Sequence, residues 1–293
     1  MHVLHLDTGR SLRGGQHQVL QLLRALPVES TLLAPAGSPL LEHARLLRIP
    51  AGPLNWRAVR KESREFDLVH CHTGGAHTLA ALWSQGPFVV SRRVAFPVGR
   101  GPLSRWKYSR AAHYLAVSGA VRNELLAAGV KPERISVVGD AVPQPAVVST
   151  REGPVVAIGL AREDERKGAG LLPHIGLDLH YSENLAADLL TARALVYVTE
   201  SEGLGSAVLL AMAHGVPVVA SRVGGLTELI EDGVTGLLVT NDPDSIGTAV
   251  RRLLEDEALA DRLAAAGRSA VKSRFTMERM VEGTLAVYRK VLE

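Results

Sequence analysis

Two cations and a carboxylate carry most of the chemistry this sequence offers. Arg162 and Lys167 stand in Gly159-Leu-Ala-Arg162-Glu-Asp-Glu-Arg-Lys167-Gly168, just past an apolar run at 155–158 that reads as a strand. The carboxyl ends of strands are where open α/β sheets bind ligands. Arg and Lys there suit a diphosphate, Arg through a bidentate fork and Lys as a point charge. The neighbouring Glu163, Asp164 and Glu165 fit a plain solvated loop equally well. Further on, Glu202-Gly203-Leu204-Gly205-Ser206-Ala207 runs from a predicted strand into a predicted helix. Its glycines let backbone amides approach a bound group, and Glu202 can accept hydrogen bonds from hydroxyls. Glycine with a carboxylate at a helix start is also an ordinary capping arrangement. Gly224-Gly225 begins another such turn, and Gly14-Gly15 does the same near the N-terminus, where helix amides can meet an anion. That first pair lacks the third glycine of a dinucleotide fingerprint, so a tight turn without a ligand explains it as readily.

Two other patterns bring metals to mind. His70 and His72 share one face of a strand, but no third ligand is evident, and His72 is expected to line the cleft. Asp242-Pro243-Asp244 is a D-x-D triplet, yet it sits just before a helical pattern, where Asp caps and Pro opens the first turn. It reads as structural. No metal is expected.

Strand-type runs at 3–6, 31–34, 68–72, 88–90, 114–117 and 135–138 alternate with helical patterns, among them 38–47, 76–83 and 119–128. The Pro-rich stretch from Val142 to Pro154 reads as a linker. The alternation then resumes with strands at 155–158, 195–198, 217–220 and 236–239 and helices at about 184–193, 205–214, 244–255 and 257–273. This order predicts an α/β protein of two Rossmann-like, doubly wound parallel-sheet domains facing a cleft. The domains are drawn at 1–145 and 146–293, with the last helix, about 276–293, packing back on the first. The 293 residues suffice for two such cores, and 46% hydrophobic with 22% charged residues is the composition of a globular protein. No apolar run is long enough to span a membrane, no signal peptide is evident, and a single cysteine, Cys71, suits a reducing cytoplasm. Residues 1–150 hold 18 Lys and Arg against 9 Asp and Glu, a net of +9, while the remainder nets −6. The basic half implies an anionic partner, unless it is an ordinary solvated surface.

These motifs resemble the group 1 retaining glycosyltransferases, of the GT-B fold. The first half does so through Gly14-Gly15, Asp67-Leu-Val-His70-Cys-His72, Ala116-Val-Ser118 and Val130-Lys-Pro-Glu-Arg-Ile-Ser-Val-Val138. The second half is more specific: Arg162-x4-Lys167-Gly168, Glu202-Gly-Leu-Gly205, Ala211-Met-Ala-His-Gly-Val-Pro-Val-Val-Ala-Ser221, and Gly224-Gly225-x2-Glu228-Leu-Ile-x2-Gly233-x2-Gly236. The resemblance implies transfer of a sugar, with retention and without a metal or other cofactor, from a nucleotide sugar such as a UDP- or GDP-sugar. Arg162 and Lys167 would hold the diphosphate and Glu202 the donor sugar. The amides around Gly203, Leu204, Gly205, Ser206 and Ala207 would assist, and Gly14 and Gly15 would close on the phosphates. His72, Arg92 and Arg93 fall on the acceptor side.

This sequence departs from the family at three places. Leu210 replaces the second glutamate, eight residues after the first, that holds the nucleotide ribose. Only 34 residues separate Lys167 from Glu202, about one βαβ unit, so the second domain looks truncated. Ser91-Arg92-Arg93 occupies the place where many relatives show a histidine. The interleaved basic and aromatic residues of 92–110 (Arg92, Arg93, Phe96, Arg100, Arg105, Trp106, Lys107, Tyr108 and Arg110) resemble enzymes that extend lipopolysaccharide or other lipid-linked glycans. They imply a cell-envelope glycan or lipid-linked acceptor, contact with an anionic membrane at its cytoplasmic face, and no nucleic acid. The alternative is a glycosyltransferase-like protein that binds a ligand or partner with little or no turnover.

Overall fold

A computed structural model describes residues 1–99 and 101–293; Arg100, one of the basic residues of 92–110, lies outside the described residues. The chain forms two compact units, Met1–Ala141 with Met277–Glu293, and Val142–Thr276.

The first unit holds β1 (His2–Leu6), α1 (Gly14–Ala25), β2 (Glu29–Ala34), α2 (Pro39–Leu46), β3 (Ala51–Pro53), α3 (Trp56–Glu62), β4 (Leu68–Cys71), α4 (Gly74–Trp83), β5 (Phe88–Arg92), α5 (Pro102–Arg110), β6 (His113–Ala116), α6 (Gly119–Ala127) and β7 (Ile135–Val137). All seven strands are parallel, in the order β3-β2-β1-β4-β5-β6-β7. Sheets of this kind need helices on both faces, which is why β1, β2, β4, β5 and β6 are rich in Val, Leu and Ala. Several helices start on a hydrogen-bonding cap, from Ser38, Thr73 and Ser118.

The second unit holds β8 (Val155–Ile158), β9 (His180–Ser182), α7 (Leu185–Asp188), β10 (Ala194–Tyr197), α8 (Ser206–Ala213), β11 (Val218–Ser221), α9 (Leu226–Leu229), β12 (Leu237–Val239), α10 (Pro243–Glu255) and α11 (Glu257–Arg274). Its five parallel strands run β12-β11-β10-β8-β9. Val196, Val198, Val219, Ile246, Val250 and Leu263 are buried together at its core. Asp242 caps α10 by accepting from the Ser245 amide at 2.8 Å, with Pro243 in the first turn. The D-x-D triplet is thus a helix start.

α12 (Met277–Leu292) belongs to the first unit, where Met280, Leu285, Val287 and Tyr288 pack with Val3, Leu22, Leu68 and Val89. One expectation needs correction, and one strand escapes the sequence reading. The helix expected at 184–193 shrinks to the single turn of α7, because Leu189 and Ala192 are buried beyond a turn and not along a helix. The edge strand β9 is absent from the sequence pattern: three residues reading His-Tyr-Ser carry no apolar alternation.

Candidate donor and acceptor sites

In the second unit, β8 and β10 end side by side and deliver the predicted residues from their carboxyl ends. Lys167 closes a short 3-10 turn after β8, and Gly168 follows with φ 97°, a left-handed conformation. A Cβ there would also crowd Val198 at 2.9 Å, so only glycine fits. Lys167 Nζ lies 3.0 Å from Glu202 Oε2 and donates to the Tyr197 hydroxyl at 3.3 Å. That hydroxyl donates to the same Glu202 oxygen at 2.5 Å, while Glu202 Oε1 accepts from the Gly203 amide at 3.0 Å. Both Lys167 and Glu202 are largely shielded, at 21% and 17% side-chain exposure. Burial, and then the charge and hydrogen bond of Glu202, push the Tyr197 phenol well above its ordinary range, so it stays a donor. The sequence marks Tyr197 only as a strand residue; its place as the last residue of β10 is the available clue.

Glu202 is held from below by the second glycine pair. The Gly225 amide donates to the Glu202 carbonyl at 3.0 Å. A Cβ on Gly225 would collide with the Gly203 carbonyl oxygen, and one on Gly224 with that of Glu202. Gly205 adopts φ 101° and leads into α8, whose first turn has no side-chain cap. Its first amides are therefore open to an anion. Gly203, Leu204 and Gly205 are buried, whereas Ser206, Ala207 and Leu210 are half-buried along α8. Arg162 is exposed and stacks on Tyr181, its guanidinium 5.1 Å from the ring centroid. No contact joins it to Lys167; the loop brings the two cations near one sheet edge only.

In the first unit, Gly14 and Gly15 open α1. The loop before them is tied down by buried Asp7, which accepts from the Gly9 amide at 2.6 Å and from Gln16 Nε2 at 3.3 Å. Nothing lies within 4 Å of where a Gly15 Cβ would stand. Burial raises the Asp7 carboxyl, although the Gly9 amide, Gln16 and the Arg93 charge act against this.

His72 does not stand alone. The parallel register sets His5 opposite His70, and His5, His70 and His72 bring a nitrogen each within 4.8 Å of one another. The third histidine that the sequence does not disclose is therefore His5. Hydrogen bonds already engage this cluster. Arg93 Nε donates to Asp140 at 2.8 Å, and its Nη1 lies 3.3 Å from His72 Nδ1. A guanidinium only donates, so Nδ1 carries the lone pair and the His72 proton sits on Nε2, directed at His5 Nδ1 2.9 Å away. His70 meets Tyr288 at 2.6 Å and Ser91 at 2.7 Å. His5 Nε2 is the one ring nitrogen of the three without a partner. Burial first, and neighbouring positive charge second, hold His70 and His72 well below the ordinary imidazole range; burial takes His5 down to about 3. All three are neutral. Arg93 and His72 are thus brought together, whereas Arg92 turns aside to the Tyr108 hydroxyl at 2.8 Å and the Phe96 carbonyl.

Two Rossmann-like α/β units, one ending its strands on a Lys–Glu–Tyr cluster beside an uncapped helix, define the GT-B class. Two family models match in succession, the Glycosyltransferase Family 4 model over residues 12–143 and the Glycosyl transferases group 1 model over residues 133–256. The chain thus carries Glycosyltransferase Family 4 and group 1 glycosyltransferase domains in succession. It is 40% identical over 109 residues to a D-inositol 3-phosphate glycosyltransferase of Nocardioides, which covers 37% of this chain and 24% of that protein. It is 42% identical over 107 residues to an alpha-maltose-1-phosphate synthase of Mycobacterium tuberculosis, covering 33% of this chain and 28% of the relative. The matched stretch thus spans about a quarter of these relatives' length. Among solved structures, Anabaena HepE in complex with UDP and glucose aligns over 99% of this chain and 100% of that one, with TM-score 0.86 and 16% identity. The lipopolysaccharide outer core galactosyltransferase WaaB, in its apo form, aligns over 99% of each chain with TM-score 0.69 and 15% identity. At such identities the likeness is one of fold.

Proposed function

We propose that the protein transfers a sugar from a nucleotide-sugar donor to a hydroxyl of a cell-envelope glycan or lipid-linked acceptor, with retention and without a metal. The observation that carries this reading is the Lys167–Glu202–Tyr197 cluster beside the open first turn of α8. In transfer, the acceptor hydroxyl oxygen bonds to the anomeric carbon on the face the phosphate leaves, as the bond from that carbon to the phosphate oxygen breaks. The hydroxyl proton passes to the departing diphosphate oxygen. The electron pair departs on the diphosphate. Lys167, Arg162 and the α8 amides offset that growing charge without a metal ion. Glu202, fixed through Oε2 and Oε1, has lone pairs left for sugar hydroxyls. Anabaena HepE, which shares the fold, forms a complex with UDP and glucose, and this favours a nucleoside diphosphate here.

Leu210 favours the rival reading of a binding protein with little turnover, because leucine cannot accept from ribose hydroxyls. Thermal shift against a panel of nucleoside diphosphates and nucleotide sugars tests both readings, since a ligand selective for the folded state raises the melting point. Leu210→Glu should strengthen the shift with UDP or GDP, by about 1.5–3 kcal/mol if the new bonds are charge-assisted. Donor hydrolysis accompanying it supports the enzyme. No shift with either form, both folded, sinks the transferase reading.

The acceptor side is assigned to the membrane-facing character of 92–110. No residue of α5 is buried, Leu103 is 83% exposed, and Phe96 and Trp106 are half out. No helix among the described residues is long and apolar enough to cross a membrane, so surface contact is the mode proposed. Vesicles with anionic lipid should retain the protein at low salt and release it at high salt. Leu103→Ser with Trp106→Ser should abolish retention. Equal retention on neutral vesicles would count against this assignment.

A further inference from the structure

The donor residues and the Arg93–His72 group all stand at the carboxyl ends of strands. A second concentration of positive charge lies at the opposite edge of the first unit's sheet. There Arg105 of α5, Lys131 and Arg134 line an open pocket of about 640 Å³, walled by Tyr108, Ala128 and Val130. Ser109 at the end of α5 and residues 131–134 directly precede β6 and β7, so this pocket sits at the strands' amino ends. β6 is four residues long, which separates the two edges by roughly 13 Å.

Three features favour an anion in the pocket, and one lessens what opposes it. Among the described residues no carboxylate lines it, although three cations do, Arg105 from α5 and Lys131 and Arg134 from the turn before β7. Arg134 is fixed in place, donating Nε to the Ala112 carbonyl at 3.3 Å and Nη2 to that of Ser109 at 3.0 Å. The carbonyl dipoles at the end of α6 are partly closed off. Gly129, with φ 84°, turns the chain so that its amide bonds the Leu126 carbonyl and the Val130 amide bonds that of Leu125. Finally, His113, at the start of β6, is held down to about 4, by burial first and then by the charges of Lys290 and Arg134. The local field is positive.

We propose that this pocket binds a phosphoryl group, at a site separate from the one that takes the nucleotide sugar. Three cations converging from two segments match a compact group of more than one negative charge, and the Arg fork matches phosphate oxygens in pairs. The volume is that of a ligand site and admits a phosphorylated small molecule or a lipid headgroup. Nothing in this assignment depends on transfer chemistry at Glu202.

Inorganic pyrophosphate is the probe, titrated calorimetrically into the full chain. Arg105→Ala with Lys131→Ala removes two exposed cations that make no fold contact, and should weaken one class of pyrophosphate binding by roughly tenfold or more. The melting point and UDP affinity should not move. Arg162→Ala with Lys167→Ala should leave that class of binding in place, which separates failure here from failure of the donor site. Arg105→Lys with Lys131→Arg should retain most of the affinity. Phosphatidic acid vesicles that displace pyrophosphate would assign the phosphoryl group to a lipid; binding undisturbed by vesicles would assign it to a soluble phosphate ester. A pyrophosphate isotherm unchanged by the Arg105 and Lys131 substitutions overturns the site.

Discussion

Lys167→Ala is expected to weaken UDP or GDP binding at least tenfold and to reduce sugar transfer further still. Lys167 is a shielded cation at the end of β8, and a lost charge-assisted bond to phosphate costs about 1.5–3 kcal/mol. Its ion pair with Glu202 makes the neighbouring substitution informative. In the free protein the two side chains satisfy each other, so a diphosphate must compete with Glu202 for Lys167. Glu202→Gln keeps the shape and a partner for Tyr197 but removes the competing charge. It should leave UDP affinity equal or higher while transfer falls, because the contact proposed for Glu202 with the donor sugar would be weakened where charge develops. Calorimetry with UDP and a transfer assay on the same two variants check this. Equal loss of UDP affinity in both would mean that the pair acts as one structural clamp, and the separate roles given to phosphate and sugar would be wrong.

The same cluster indicates where sequence reading reaches. Lys167, Glu202 and the glycines are legible because their motif is local: each follows a strand and precedes a turn whose backbone allows few residues. The buried parallel strands are legible as apolar runs for the same reason. Tyr197 is hidden because nothing in Ala-Leu-Val-Tyr distinguishes a packing tyrosine from one whose hydroxyl reaches five residues on. His5 is hidden more deeply. Its partners are 65 and 67 residues away and become neighbours only through the β1–β4 register. Tyr288 meets His70 across 218 residues, by way of the packing of α12. The α5 helix escapes notice since it has no apolar stripe to read, and β9 and α7 because short edge elements carry little pattern. Tertiary contact, and not local preference, decides each of these.

The buried histidines carry the largest stability effect to be expected. His5, His70, His72 and His77 are buried in the first unit, with His5 and His77 held to about 3, chiefly by burial, and the other two well below the ordinary range. In the unfolded chain each titrates near 6.5. Above that value both states are neutral and these groups leave stability unchanged. As pH falls below it, the unfolded chain takes up protons that the folded protein refuses. Stability therefore drops from pH 6.5 downward, and the loss saturates only near the depressed folded values. Asp7 and Glu62 work the other way, since a raised carboxyl binds a proton more readily when folded, but His17 and His113 are lowered as well, so these two carboxyls stand against six histidines. Each histidine contributes about 1.4 kcal/mol per pH unit once fully in the window. Four together would consume a typical domain stability of roughly 5–15 kcal/mol within about two to three units. Melting the protein from pH 8 to pH 4.5 should thus show a steep fall below pH 6, with about three or more protons taken up on unfolding at pH 5. His77→Gln, which can keep a donor for the Lys107 carbonyl 3.1 Å away, should reduce that uptake by about one. An uptake below one would mean that the folded protein already holds charged imidazoles. The Nε2 proton that Arg93 assigns to His72 would then be only one of two, and Arg93 could not be its donor.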